Sequence, residues 1–342
     1  MRFKRRVQLT GSSTFTVSLP KDWAVKNNIR AGSELFIDEE GDGSLRLSAK
    51  ETGDSGGEEI IDLRRYSSHR EVQRIFLAAY VSGYYTVRFR GTGTIPSELR
   101  KIIVGEVDRL IGLEVVEESP NEIVVQDFFS QRELSIEKTL KRAYMIASGM
   151  QEEAMRALAS GDQELAESVR KRDDEVDRLR FLILRQVSLA LKNSSLLRTL
   201  GLKATDCLDY VAVSRCVEGI ADNAARIAGN VRKAKNAAVI AQLGQASEEA
   251  RRLHEAAFKA FFSRNLREAN RVIEADHELE ARLGVLAKRV QGAEDAFRLG
   301  SVMFSIFRIC DYGAEIAEIV MDRGEGALGE GKALRADGAG FY

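Results

Sequence analysis

The chain has 342 residues, 44% of them hydrophobic, which is enough for two or three domains with cores of their own. Its 51 basic and 52 acidic residues leave a formal net charge of -1, so affinity for nucleic acid has to come from local clustering rather than overall charge. Cys207, Cys216 and Cys310 lack metal-type spacing and fit reduced thiols in a cytosolic core, and no stretch has the apolar length of a signal peptide or membrane span. The expectation is a cytoplasmic protein with no membrane insertion.

The first fifty residues have strand character. RVQLT and TFTVSL flank GSS, LPKDWAVKNNI suggests a short helix, and ELFID and SLRLS flank EEGDG; alternating residues around Gly-bearing turns are hairpin signals. Arg2, Lys4, Arg5, Arg6, Lys21, Lys26 and Arg30 stand against Asp22 alone in the first thirty residues, a local excess that suits DNA phosphates. ETGDSGGEE then reads as an exposed linker and closes a first unit spanning 1–51.

Over 59–130 short strands alternate with helices: IIDLRR, a helix from about Arg70 to Val81, TVRFRG, a helix from Ser97 to Leu110, LEVVEE and EIVVQDF. This predicts a small sheet with helices packed on it, a connector without a Gly-rich phosphate loop. From Arg132 to about Arg323 proline is absent and helical periodicity dominates, with length for six bundle helices. The fold class is therefore multidomain: a β domain of hairpins, a small α/β domain and an all-α region. The Gly-rich stretch 324–342 lacks a packing pattern and is expected to be a disordered tail.

The helical region repeats. A shift that carries Ala157 onto Ala260 also carries Ser160, Ala166, Val169 and Asp173 onto Ser263, Ala269, Val272 and Asp276. The preceding helix follows suit, Leu140, Ala143, Ala147 and Met150 meeting Leu243, Ala246, Ala250 and Leu253. A shorter shift pairs Val217, Ile220, Ala224 and Ile227 with Ile306, Ile309, Gly313 and Ile316, the difference falling around KNSSLLRTLGLK. Two three-helix units over 132–235 and 236–323 follow.

The repeat singles out acids. Asp173 and Asp276 occupy the apolar seam, where a carboxylate is costly unless something pairs with it. Asp177 and Glu280 follow four residues later, and Glu218 and Asp222 form a similar pair on the third helix of the first unit. Acid pairs on facing helices offer oxygen ligands to a cation. The other reading is surface ion pairing, since Arg170, Arg180, Arg215 and Arg226 lie three or four residues from these acids. In the second unit Phe307 stands where Glu218 is and Asp311 alone remains, so the first unit is expected to bind metal more tightly. His277 reads as an exposed helix residue. A di-iron oxidase needs E-x-x-H on two helices, and only Glu274 and His277 supply it, which argues against an enzyme.

CVEGIADNAARIAGNV and IFRICDYGAEIAEIV resemble the third helix of PhoU-domain phosphate-uptake regulators, over roughly 132–323. The resemblance implies a tandem three-helix bundle and a divalent or iron-type metal ion held by Glu218 and Asp222, with Asp311 a partial second copy and Asp173, Asp177, Asp276 and Glu280 as neighbouring acids. RRVQLTGSSTFTVSLPKDW together with NIRAGSELFI resembles a SpoVT/AbrB-type swapped-hairpin DNA-binding domain, which implies a homodimer. The combination is similar to archaeal regulators of phosphate uptake, with Arg2, Lys4, Arg5, Arg6 and Lys21 toward DNA. The alternative function is an adaptor that binds phosphate ABC-transporter components or a sensor kinase and uses its head only to dimerise.

Overall fold

The computed structural model describes residues 3–39, 43–49, 57–128, 135–232, 236–293 and 295–333. Arg2 lies outside them. The N-terminal unit consists of a hairpin of β1 (Gln8–Thr10) and β2 (Thr14–Thr16), helix α1 (Lys21–Lys26) and a second antiparallel pair, β3 (Phe36–Glu39) with β4 (Leu45–Ser48). Gly11, with φ of 69°, takes the left-handed conformation that the first turn requires. None of the described residues from 3 to 49 is buried, and Leu9, Phe15, Ile37 and Leu45 are each more than half exposed. Two-stranded hairpins are marginal in water, so this unit has apolar surface but no core of its own.

The connector alternates β5 (Glu58–Asp62), α2 (His69–Val81), β6 (Thr86–Arg90), α3 (Ser97–Arg109), β7 (Leu113–Glu118) and β8 (Glu122–Asp127). Its sheet has the order β5-β6-β8-β7, with β5 and β6 parallel and the other pairs antiparallel. Ser68 and Glu71 close a capping box that starts α2. Phe76 meets Phe89 edge to face at 4.9 Å within a core that includes Ile61, Ile103 and Ile123.

The helical body comprises α4 (Ile136–Ser160), α5 (Gln163–Lys192), the short α6 (Ser194–Thr199), α7 (Ala204–Gly229), α8 (Ala237–Ser263), α9 (Leu266–Gln291) and α10 (Ala296–Ala333). Helices α4, α5 and α7 pack together, as do α8, α9 and α10, and α7 with α10 and α4 with α8 join the two units. One apolar core runs through both. The repeat extends to the turns: α4 ends at Gly161 (φ 76°) and α8 at Arg264 (φ 53°), and the following helices are capped by the side chains of Asp162 and Asn265. The inserted KNSSLLRTLGLK contains α6. The tail expectation requires correction, because α10 does not stop at 323 but continues to Ala333, with Gly324 lying against Leu266. Helical packing extends over a glycine that the sequence assigned to a tail; residues 334–342 lie outside the described residues.

Buried polar groups hold the layers in register. Between the units, Nδ1 of His254 lies 3.0 Å from the Tyr144 hydroxyl and Nε2 lies 2.7 Å from Oε1 of Gln151, whose amide donates to Ser247. Burial holds the His254 imidazole neutral, its pKa pushed down to about 3. Between connector and body, Arg185 of α5 and Asp127 of β8 form an ion pair in which both side chains are 3% exposed. Arg185 also donates to the carbonyls of Tyr80 and Tyr84 and lies over the Tyr80 ring. Leu189 occupies the space beside Gly83 where a Cβ would stand, and Lys192 donates to the Ser82 carbonyl at 2.6 Å.

Candidate functional site

Helix α5 places Asp173 and Asp177 one turn apart, and α7, packed against it, places Glu218 and Asp222 one turn apart. All four residues are partly buried. Desolvation pushes the Asp173 carboxyl up to about 7, reinforced by the charges of Asp222, Asp177, Asp174 and Glu218. Asp177 is raised by burial and then by Asp222; Glu218 is raised by burial, with Arg180 opposing and Asp222 and Asp177 adding. The two acid pairs thus share one electrostatic neighbourhood across the packed α5 and α7 helices. Oδ1 of Asp173 is enclosed and accepts no hydrogen bond.

The arginines leave this cluster incompletely paired. Arg226 reaches Asp222 at 3.8 Å, on a side chain that is 58% exposed. Arg170 instead donates to Glu167 at 3.1 Å, and Arg180 and Arg215 act on Glu218 only through the field. Among the described residues no three of these four acids bring ligand atoms within 4.8 Å of one another, so the enclosed Asp173 oxygen sits in a carboxylate-rich neighbourhood rather than in an assembled ligand set.

The second unit is arranged differently. Asp276, His277 and Glu280 all come from α9, and one ligand atom from each lies within 4.8 Å of the others. His277 is exposed, as its sequence context suggests, yet its Nδ1 lies 3.8 Å from Glu280, and the sequence reading missed that grouping because the counterpart in the first unit is Asp174. The D-H-x-x-E spacing was the available signal, since i and i+4 share a helix face. Asp276 is 5% exposed and accepts a hydrogen bond from the Cys310 thiol at 2.7 Å. Asp311 is pushed up by burial while Arg308, 2.5 Å away, pulls it down. Phe307 packs against the apolar core. Tyr312 lies over Gly219, where no side chain would fit, and Arg308 stacks on the Tyr312 ring at 4.6 Å.

In the N-terminal unit Lys4, Arg5 and Arg6 are exposed on the segment leading into β1, and Lys21 is the exposed first residue of α1. With Lys26 and Arg30 they form no ion pair among the described residues, so their charges face solvent. The Arg198 guanidinium of α6 donates to the Glu39 carbonyl and ties the end of β3 to the body.

Residues 140–231, from within α4 to the end of the first unit, match the profile of the PhoU domain. The chain carries a PhoU domain. Residues 8–54 match the profile described as antidote-toxin recognition MazE, bacterial antitoxin, so the N-terminal unit is of the MazE/AbrB type. Solved structures similar to the chain include PhoU from Pseudomonas aeruginosa, at 18% identity over 56% of this chain and 96% of that one, with a TM-score of 0.48. The phosphate transport system regulatory protein PhoU from Streptococcus pneumoniae aligns at 19% identity over 56% of this chain and 94% of that one, with a TM-score of 0.46. No curated protein sequence matches significantly. The matched PhoU residues include Asp173, Asp177, Glu218 and Asp222 and end before the acids of α9 and α10. No helix among the described residues is long and apolar enough to cross a membrane.

Proposed function

We propose that this protein is a cytoplasmic, non-enzymatic regulator of phosphate uptake that binds DNA as a homodimer through its N-terminal unit and senses a metal ion, phosphate status or a transporter partner through its helical body. The observation that carries the reading is the junction of a PhoU domain to a MazE/AbrB-type unit that has no buried residue among those described and presents six unpaired cations. A second copy would cover Leu9, Phe15, Ile37 and Leu45 and bring two basic segments to one duplex, as dimeric DNA readers do. Regulation would act through the relative placement of the two heads.

In the body, Asp173, Asp177, Glu218 and Asp222 would hold the divalent or iron-type ion, which would supply positive charge to carboxylates that the protein itself leaves partly unpaired. Asp276, Glu280 and Asp311 form the lesser, second-unit counterpart, with His277 added to it.

The DNA half is tested by fluorescence anisotropy of the full chain on its own upstream DNA over a salt series. Binding should weaken linearly in log–log form, and replacing Lys4, Arg5 and Arg6 by alanine in both copies of the dimer should reduce the slope by roughly 5. Absence of salt-dependent binding, with retention of a phosphate ABC-transporter ATPase, would replace this reading by that of an adaptor. The metal half is tested by metal analysis of the purified protein against Glu218→Ala with Asp222→Ala; unchanged content returns these acids to ordinary ion pairing.

A further inference from the structure

The connector sheet is held by the body at one end and open at the other. Because β8 runs antiparallel to β6, Asp127 and its partner Arg185 stand near Thr86, at the start of β6. At the far end the parallel strands β5 and β6 finish side by side, with Asp62 and Arg90 in register. The crevice beyond the carboxyl ends of parallel strands is where open α/β sheets take ligands. Here a 3-10 turn over Leu63–Arg65 leaves β5, and GTG, residues 91–93, leaves β6. A Cβ on Gly91 would stand 3.0 Å from the Gly93 carbonyl oxygen, so glycine lets this second turn fold back. Between the two turns lies an open cleft of about 420 Å³, lined by Asp62, Arg64, Arg65, Arg90, Gly91 and Thr92.

Three guanidinia meet one carboxylate in this lining, although acidic residues outnumber Lys and Arg across 57–128 as a whole. Asp62 accepts from Nε and Nη2 of Arg64 at 2.8 and 2.5 Å and has Arg65 at 3.9 Å, and Glu122 accepts from Nε of Arg90 at 2.7 Å. The two carboxylates are 19% and 25% exposed, whereas each of the three arginine side chains is more than half exposed. The acids therefore form a floor that anchors guanidinia at the rim. A guanidinium has more N–H donors than one such contact uses. Among the described residues Nη1 of Arg64 and both Nη atoms of Arg90 enter no hydrogen bond, nor do the backbone N–H groups of Thr92 and Gly93.

We infer that this cleft binds a phosphoryl group, as free orthophosphate or as the end of a small phosphomonoester, with Arg64, Arg65 and Arg90 as its cationic ligands. Arginine forks match phosphate oxygens in pairs, and guanidinia already anchored lose little freedom on binding. Several guanidinia at one cleft suit a dianion with three terminal oxygens better than a lone carboxylate. The chain has no Gly-rich phosphate loop, so recognition comes from side chains, with the GTG turn supplying the close backbone. The ligand is small: a nucleic-acid strand laid across this sheet face would also meet the partly exposed Glu58 and Glu117 beside Arg88. The site is separate from the proposed cation and DNA sites, and its failure would leave both readings standing.

The test titrates the full chain by calorimetry with orthophosphate and, separately, ribose 5-phosphate, at constant ionic strength. Arg64→Gln and Arg90→Gln should each weaken binding about fivefold, the order expected for an exposed charge-assisted hydrogen bond. Replacing Lys4, Arg5 and Arg6 by alanine should leave it unchanged, which separates the cleft from the basic head. Hydrogen exchange should show the bound ligand protecting residues 91–95, and thermal melts check that the variants are folded. The tighter of the two ligands identifies the source of the phosphoryl group; equal affinity means that the cleft reads the phosphoryl group alone. Absence of binding by both ligands overturns the inference. So does binding that folded Arg64→Gln and Arg90→Gln retain, binding lost with the head cations, or a loss of DNA affinity in the two arginine variants without any phosphate binding.

Discussion

Asp173→Asn should stabilise the chelated protein at neutral pH and do almost nothing in acid. A carboxyl whose folded pKa is raised from 3.8 to about 7 favours folding in its protonated form. That contribution is fully present below the unfolded value and is lost as the pH climbs toward 7. The displacement corresponds to about 4 kcal/mol at 1.4 kcal/mol per pH decade, and the partial exposure of the residue reduces it to roughly 2 kcal/mol. Asparagine is neutral throughout and nearly isosteric, and its lack of charge also relieves Asp177 and Glu218. Urea unfolding with EDTA present, at intervals from pH 4 to pH 8, measures the difference between variant and wild type. Buried neutral His254 has the opposite dependence, losing stability as the pH falls from about 6.5, but it is common to both proteins and cancels in the difference. The gap should open from near zero at pH 4 to roughly 2 kcal/mol at pH 7.5. A gap that is flat with pH would show that burial and the facing acids do not act on Asp173.

Arg264→Gly should raise stability by about 0.5–1 kcal/mol in the same urea assay, because a left-handed arginine gives way to the residue found at the equivalent Gly161. Arg185→Ala should cost about 3–5 kcal/mol at the connector–body boundary by leaving Asp127 buried without its cation, and limited proteolysis should then cut between the two before either is degraded. In equilibrium dialysis against Mn2+, Asp173→Asn with Asp177→Asn should abolish the tighter site, whereas Asp276→Asn with Glu280→Gln should leave it; the reverse order would overturn the asymmetry between the units.

Much of the organisation is visible in the residues because it rests on periodicity and turn chemistry. The seam that runs Val217, Ile220, Ala224, Ile227 is buried throughout, and its counterpart Ile306, Ile309, Ile316 likewise. The connector elements lie within a residue or so of their sequence positions, since Ser68 and Pro96 mark the helix starts, except the first strand, which runs Glu58–Asp62 before a 3-10 turn over Leu63–Arg65 where the sequence reads IIDLRR. What the sequence hid was pairing across elements. Nothing in the α5 pattern distinguishes Arg185 from the arginines around it, yet it alone among them is 3% exposed, on a partner 58 residues away. Gly219 looks like a weak point in a helix until Tyr312 of the other unit is placed over it. The glycines after 323 suggested chain without packing, but a helix already anchored by Val320 against the core extends through Gly331 to Ala333.

The two units share a frame and resolve the same electrostatic problem in different ways. In the second, the protein supplies the compensation itself: Cys310 donates to Asp276, Arg308 pairs with Asp311, and Phe307 replaces a carboxylate by packing. Its ligand-distance group comes from a single helix, so it joins nothing across the bundle. In the first unit Oδ1 of Asp173 has no donor, and the acids come from two helices that pack together. Carboxylates left uncompensated at neutral pH reduce stability, and on the proposed reading a cation bound there would restore it by linkage. The unit that leaves its acids uncompensated is also the one whose α5 carries Arg185 into the connector interface and meets Arg109 of α3.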